Sequence, residues 1–205
     1  MSRLVLCLTA FLFAISGTQA QSKKELSDML SRDLQDYRRF TLALNLDSSL
    51  LYMPQKMFEI IPLDSLKATM IQAMDNQYIS VKMTGFEFES NKKPEIKEAG
   101  AYFWAFVPFS GSMKLTIKGD KEFRKILIPV MKGQFGADGV QMEGDSIMNI
   151  MLKNKELIAF KTPNSPKWSL IEDKRSENGR EGKQQKELFK AIMPPEVLNA
   201  IDKKN

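Results

Sequence analysis

Six consecutive residues, Tyr102-Phe103-Trp104-Ala105-Phe106-Val107, leave no polar side chain on either face of a strand. Successive strand residues point to opposite faces, so Tyr102, Trp104 and Phe106 project to one side and Phe103, Ala105 and Val107 to the other. A strand apolar on both sides is central and needs cover on both sides. Residues 99–109 are read as that strand. One face must meet helices as core; the other either packs on a further helix or lines an apolar cavity. Tyr102, Trp104 and Phe106 are therefore the candidate ligand-binding residues.

Helical spacing supplies the cover. Ser22 and Glu25 have the spacing of a capping box, and Leu26, Met29, Leu30, Tyr37, Phe40 and Leu44 recur at helical intervals over 23–46. Pro54 suits the first turn of a short helix to Ile61, and a third helix spans about 63–75. The period then switches to two: Ile79, Val81 and Met83 alternate with polar residues, and after Gly85 the apolar set moves to Phe86 and Phe88. A one-residue phase flip at a glycine predicts a β-bulge.

After 99–109, Ser110-Gly111 reads as a hairpin turn into Met113, Leu115 and Ile117. Asp120 caps a helix over 120–135, with Pro129 kinking it and Gly133 or Gly136 ending it. Strands follow at about 139–143, 146–153, 156–162 and 167–172, with turns at Gly144-Asp145 and Asn154-Lys155 and a loop at Pro163–Pro166. Residues 173–183 read as a polar linker, and helices around Pro194-Pro195 close the chain. The expected fold class is α+β: N-terminal helices on a curved antiparallel sheet, with an inserted helix and C-terminal helices, in a single domain over 21–205.

Residues 1–20 read as a signal peptide. Arg3 precedes an apolar run from Leu4 to Ile15, and Thr18 and Ala20 are small enough for cleavage after Ala20. A membrane span needs about 20 apolar residues, and no later segment approaches that. The expectation is an exported chain, periplasmic or extracellular, with no transmembrane segment after cleavage. Cleavage would remove Cys7, leaving neither cysteine nor histidine. Such a chain suits an oxidising compartment, where it forms no wrong disulfides.

That composition narrows the chemistry. Zinc and haem sites built from His or Cys are excluded, and no cofactor, metal site or catalytic residue is assigned. A general base would have to be a carboxylate raised, or a lysine lowered, by about 2–3 pK units, at about 1.4 kcal/mol each. Glu87 and Glu89 alternate with Phe86 and Phe88, which puts them on the wetter face. Ser90-x-x-Lys93 leads into Pro94 rather than a helix, and Gly133-x-x-Gly136-x-x-Gly139 follows a helix where a phosphate cradle precedes one. Asp138, Glu143 and Asp145 lack the order of a calcium loop.

Net charge is +5. Lys114, Lys118, Lys121, Arg124 and Lys125 form a candidate basic patch. It serves either as a contact for an anionic surface or as a solvated strand edge and helix face. Nucleic acid is not an expected partner of an exported chain.

Three leading helices, a sheet curled by the Gly85 bulge, and a final strand opening on Pro166-Lys167-Trp168-Ser169-Leu170-Ile171 resemble the nuclear-transport-factor-like superfamily of α+β cone folds. The resemblance is one of element order over about 50–172; the helix at 120–135 and those after Glu172 are additions to it. It implies a hollow between helices and sheet, used in that family for small ligands, dimerisation, or isomerase and dehydratase chemistry. Tyr102 matches a hydrogen-bond donor, and no catalytic residue carries over. The function expected is an exported, non-catalytic domain binding an apolar small ligand or a protein partner through the concave sheet face. The alternatives are an isomerase- or lyase-type enzyme with a buried carboxylate, and an anionic-surface-binding protein.

Overall fold

The structure, a computed structural model, describes residues 22–89, 93–175 and 180–203. The expected leader at 1–20, Ser90 of the Ser-x-x-Lys match and the middle of the polar linker (176–179) lie outside the described residues.

Helix α1 (Lys23–Leu42) opens with the expected capping box: Ser22 Oγ accepts the Glu25 N–H at 3.2 Å and Glu25 Oε2 accepts the Ser22 N–H at 2.8 Å. The periodicity to 46 overshoots. Leu44 takes φ 53°, and Asn45 Oδ1 accepts the Ser48 N–H at 3.1 Å, so a local cap starts a new helix, α2 (Leu46–Ser49). A 3-10 turn (Leu50–Tyr52), α3 (Gln55–Ile60) and α4 (Leu63–Met74) follow.

The sheet holds β1 (Ile79–Phe88), β2 (Lys97–Ala99), β3 (Tyr102–Ile117), β4 (Val140–Glu143), β5 (Ile147–Lys161) and β6 (Ser169–Glu172). Every pairing is antiparallel, in the order β1-β3-β5-β4, with β2 also on β3 and β6 also on β5. Helix α5 (Lys121–Phe135) is inserted between β3 and β4. Asp120 Oδ1 caps it by accepting the Phe123 N–H at 2.8 Å; it runs through Pro129 and stops at Gly136, φ 81°. Helices α6 (Arg180–Ile192) and α7 (Pro195–Asp202) close the chain, α6 beginning inside what reads in sequence as linker.

Two expected turns do not turn. The chain passes straight through Ser110-Gly111 within β3 and through Asn154-Lys155 within β5. These positions face each other. Phe109 pairs with Lys155 but Gly111 with Leu152, so β5 carries one extra residue, and Asn154 takes φ 54°. On the other side Met83 pairs with Met113 but Gly85 with Ser112, which is the bulge expected in β1. The residues that look like hairpin turns thus serve bulges on either side of β3. Gly111 is confined there: a Cβ would stand 3.2 Å from the Gly85 carbonyl oxygen and 3.3 Å from Leu152 Cδ1.

The paired bulges keep one apolar face continuous. Along β3 the odd residues Ala105, Val107 and Phe109, then Leu115 and Ile117, are buried. Their β5 partners change parity, from Leu157 and Ala159 to Met148 opposite Leu115, with Ile150 opposite Met113, so the same face stays apolar past the bulge. Leu26, Leu30 and Leu34 of α1 cover its first half, and Phe123, Leu127 and Met131 of α5 its second. Among the described residues the opposite face is covered only in the first half, where Trp104, Ile158 and Phe160 pack on Phe189 and Ile192 of α6 and Val197 and Ile201 of α7. Among the described residues no helix is long and apolar enough to cross a membrane.

Candidate binding site

The doubly covered half of the sheet ends in a cavity of about 500 Å³, where β3 begins, β5 ends and β6 begins. Tyr102, Phe160 and Trp168 supply its aromatic wall, with Leu51, Met53 and Ile192 beside them. Its loops are unusually rich in proline: Pro54, Pro163, Pro166, Pro194 and Pro195 line it, five of the chain's nine. Each is found at a break between elements or at its edge: before α3, between β5 and β6, or between α6 and α7 and at the first residue of α7. Proline fixes φ and has no N–H. Three rigid breaks meeting at one place therefore make a preformed wall with few backbone donors.

Buried charge anchors one of those loops. Asp33, on the inward face of α1, is 8% exposed, and its Oδ2 accepts the Trp168 N–H at 2.9 Å. Burial pushes its carboxyl above the ordinary 3.8, partly offset by that hydrogen bond. Lys161, 4% exposed, donates to the Ser165 carbonyl oxygen, and its own burial pulls its ammonium below the usual lysine range. Ser165 Oγ in turn donates to the Lys167 carbonyl oxygen at 2.6 Å and accepts the Lys167 N–H at 3.2 Å. Tyr52 is buried nearby; desolvation, and then the negative charge of Asp33, push its hydroxyl up to about 12. The Lys167 ammonium stands 4.6 Å from the centre of the Tyr52 ring.

The three aromatic residues singled out in the sequence are separated by the structure. Tyr102 lines the cavity. Trp104 is 2% exposed beneath the C-terminal helices, edge-on to Phe106 at 5.2 Å, and its Nε1–H has no hydrogen-bond partner among the described residues. Phe106 is half-buried in the same cluster. Of the basic residues, Lys114 pairs with Glu143 at 3.1 Å, Lys118 with Asp75, and Lys125 with Glu122 at 2.7 Å, while Arg124 reaches the Asp145 carbonyl oxygen at 3.4 Å. Lys121 is exposed at the start of α5. Lys118 and Lys114 hold the carboxyls of Asp75 and Glu143 below their usual range.

A roomier cavity of about 770 Å³ runs along α6 and α7, but its walls are mainly charged. Arg175 there is already committed to Asp173 at 2.8 Å and Asp202 at 2.7 Å. The smaller cavity is the one with an apolar, proline-braced wall. The sequence singles out Trp168 only as the opening of the final strand, and Phe160 and the convergence of prolines not at all; the prolines at three of the breaks were the available signal. Among the described residues no three His, Cys, Asp or Glu side chains gather as metal ligands. A scan against protein-family models and a search of curated proteins both return no match.

Proposed function

We propose that this chain is an exported, non-catalytic binding protein that takes an apolar small ligand at the Tyr102–Trp168 end of its sheet. The observation that carries this reading is the cavity of about 500 Å³, walled by Tyr102, Phe160, Trp168 and five prolines. Small-molecule sites are commonly apolar, preformed clefts of about 300–1,000 Å³ with a few polar groups. No aspartate or glutamate lines it among the described residues, so it offers no carboxylate base. Asp33, whose burial would suit the isomerase or lyase alternative, is engaged in holding the Trp168 backbone rather than facing the cavity.

A thermal-shift series with 1-dodecanol and shorter alcohols, checked by native mass spectrometry for stoichiometry, tests the proposal. Saturation near one hundred times Kd should stabilise the fold by about 2.7 kcal/mol, a rise in Tm of roughly 5–10 °C for a chain of this size. Ser169→Phe, which fills the cavity from β6, should abolish the shift. No shift with any chain length would end the proposal.

A further inference from the structure

The cavity grades from apolar to charged. Phe160, Trp168 and Ile192 are 2%, 1% and 2% exposed, whereas the charged residues lining it, Lys56 and Lys167, are exposed and half-buried. Both charges are positive, and neither forms an ion pair with another described residue. The Lys167 ammonium rests over the Tyr52 ring, within electrostatic reach of the buried Asp33 carboxyl but in no ion pair with it, and Ser165 fixes its backbone through two hydrogen bonds. Elsewhere Lys67, Lys114, Lys118 and Lys125 each meet a carboxylate, so these ammonium groups are already engaged. Thr162 and Ser169 add hydroxyl groups to the same lining.

From this gradient we infer that the ligand is a single-chain amphiphile with an anionic head, its tail against Phe160 and Trp168 and its head between Lys56 and Lys167. The inference rests on the binding function proposed above and names the class of ligand. An ammonium that meets no protein carboxylate keeps its donors for a ligand anion, and a charge-assisted hydrogen bond is stronger than a neutral one. A neutral amphiphile of equal length would gain the apolar contacts alone. A cationic one would meet two like charges.

Calorimetric titration of the purified protein with dodecanoate, 1-dodecanol and dodecyltrimethylammonium, each below its aggregation threshold, tests this. Dodecanoate should bind about tenfold more tightly than dodecanol in low salt, and the margin should shrink as salt screens the lysines. Lys56→Gln and Lys167→Gln should each weaken dodecanoate about three- to tenfold and leave dodecanol unchanged. Equal binding of dodecanoate and dodecanol, or a dodecanoate preference that survives both substitutions together, overturns the inference while the cavity keeps its binding role. If none of the three binds, the binding function fails and the inference with it.

Discussion

Before the bulge at Gly111 the two long strands carry helices on both faces; beyond it they carry a helix on one. In the first half Ala105 and Val107 meet α1 while Trp104 and Phe106 meet α6 and α7. In the second half Leu115 and Ile117 meet α5, and Thr116, between them, is exposed. The same two strands thus carry two kinds of sequence, apolar throughout and then alternating, because the layers around them differ. The candidate site belongs to the first half alone. A cavity needs walls from more than one layer, and only where both faces are covered do loops from the N-terminal and C-terminal helices reach the end of the sheet.

The contrast is sharpest at even positions of β3. Trp104→Ala should cost about 3–5 kcal/mol in urea unfolding, the range for deleting a buried aromatic side chain. Thr116→Ala should stay within about 0.5 kcal/mol, as an exposed substitution does. At odd positions the halves should agree: Leu115→Ala should cost about 2–5 kcal/mol, with Val107→Ala also clearly destabilising. A small effect at Trp104 would break the comparison.

Asp33 offers the next largest effect. Asp33→Ala leaves the buried Trp168 N–H without an acceptor and should cost about 1–3 kcal/mol. Asp33→Asn keeps an acceptor and should cost far less. Because burial raises this carboxyl, the folded chain holds its proton more firmly than the unfolded chain does. The resulting stabilisation is full below pH 3.8 and is lost as pH rises through the raised value. The asparagine variant should flatten that part of the stability profile. An unchanged profile would mean that Asp33 is not the group responsible.

Gly111→Ala should destabilise by about 1–3 kcal/mol through crowding against Gly85 and Leu152; a neutral result would mean that the bulge relaxes freely. The smallest expected effect lies in the second half. Lys118→Ala should let the Asp75 carboxyl return toward 3.8, visible by NMR titration, with little change in the unfolding midpoint. Lys118 holds Asp75 below its ordinary value, so that contribution is present above pH 3.8 and lost as pH falls through the depressed value.

Much of this architecture is legible in the residues. The unbroken run at Tyr102–Val107 requires helices on one face and leaves the other to a further helix or a cavity, and the phase flip at Gly85 marks a bulge; the structure shows further helices on the second face, and the bulge. Ser110-Gly111 and Asn154-Lys155 mislead because a positive φ or a missing side chain serves a bulge as well as a turn, and only the register between strands tells them apart. The site is less legible. Trp104 looks like the ligand contact because a strand pattern gives the face but not how far the covering helices extend along it. Asp33 looks like an ordinary polar helix position until β6 brings Trp168 against it, 135 residues later. The prolines are visible one by one, but their meeting at one cavity is a tertiary fact.

The chain has two tryptophans, one lining the cavity and one under the C-terminal helices, so its indole N–H signals report on the central claim separately. In a ¹⁵N correlation spectrum recorded during titration with dodecanol, the Trp168 indole signal should move with saturation at one equivalent while that of Trp104 moves less. A larger movement at Trp104, or none at either, would contradict a binding site at the proline-braced end of the sheet.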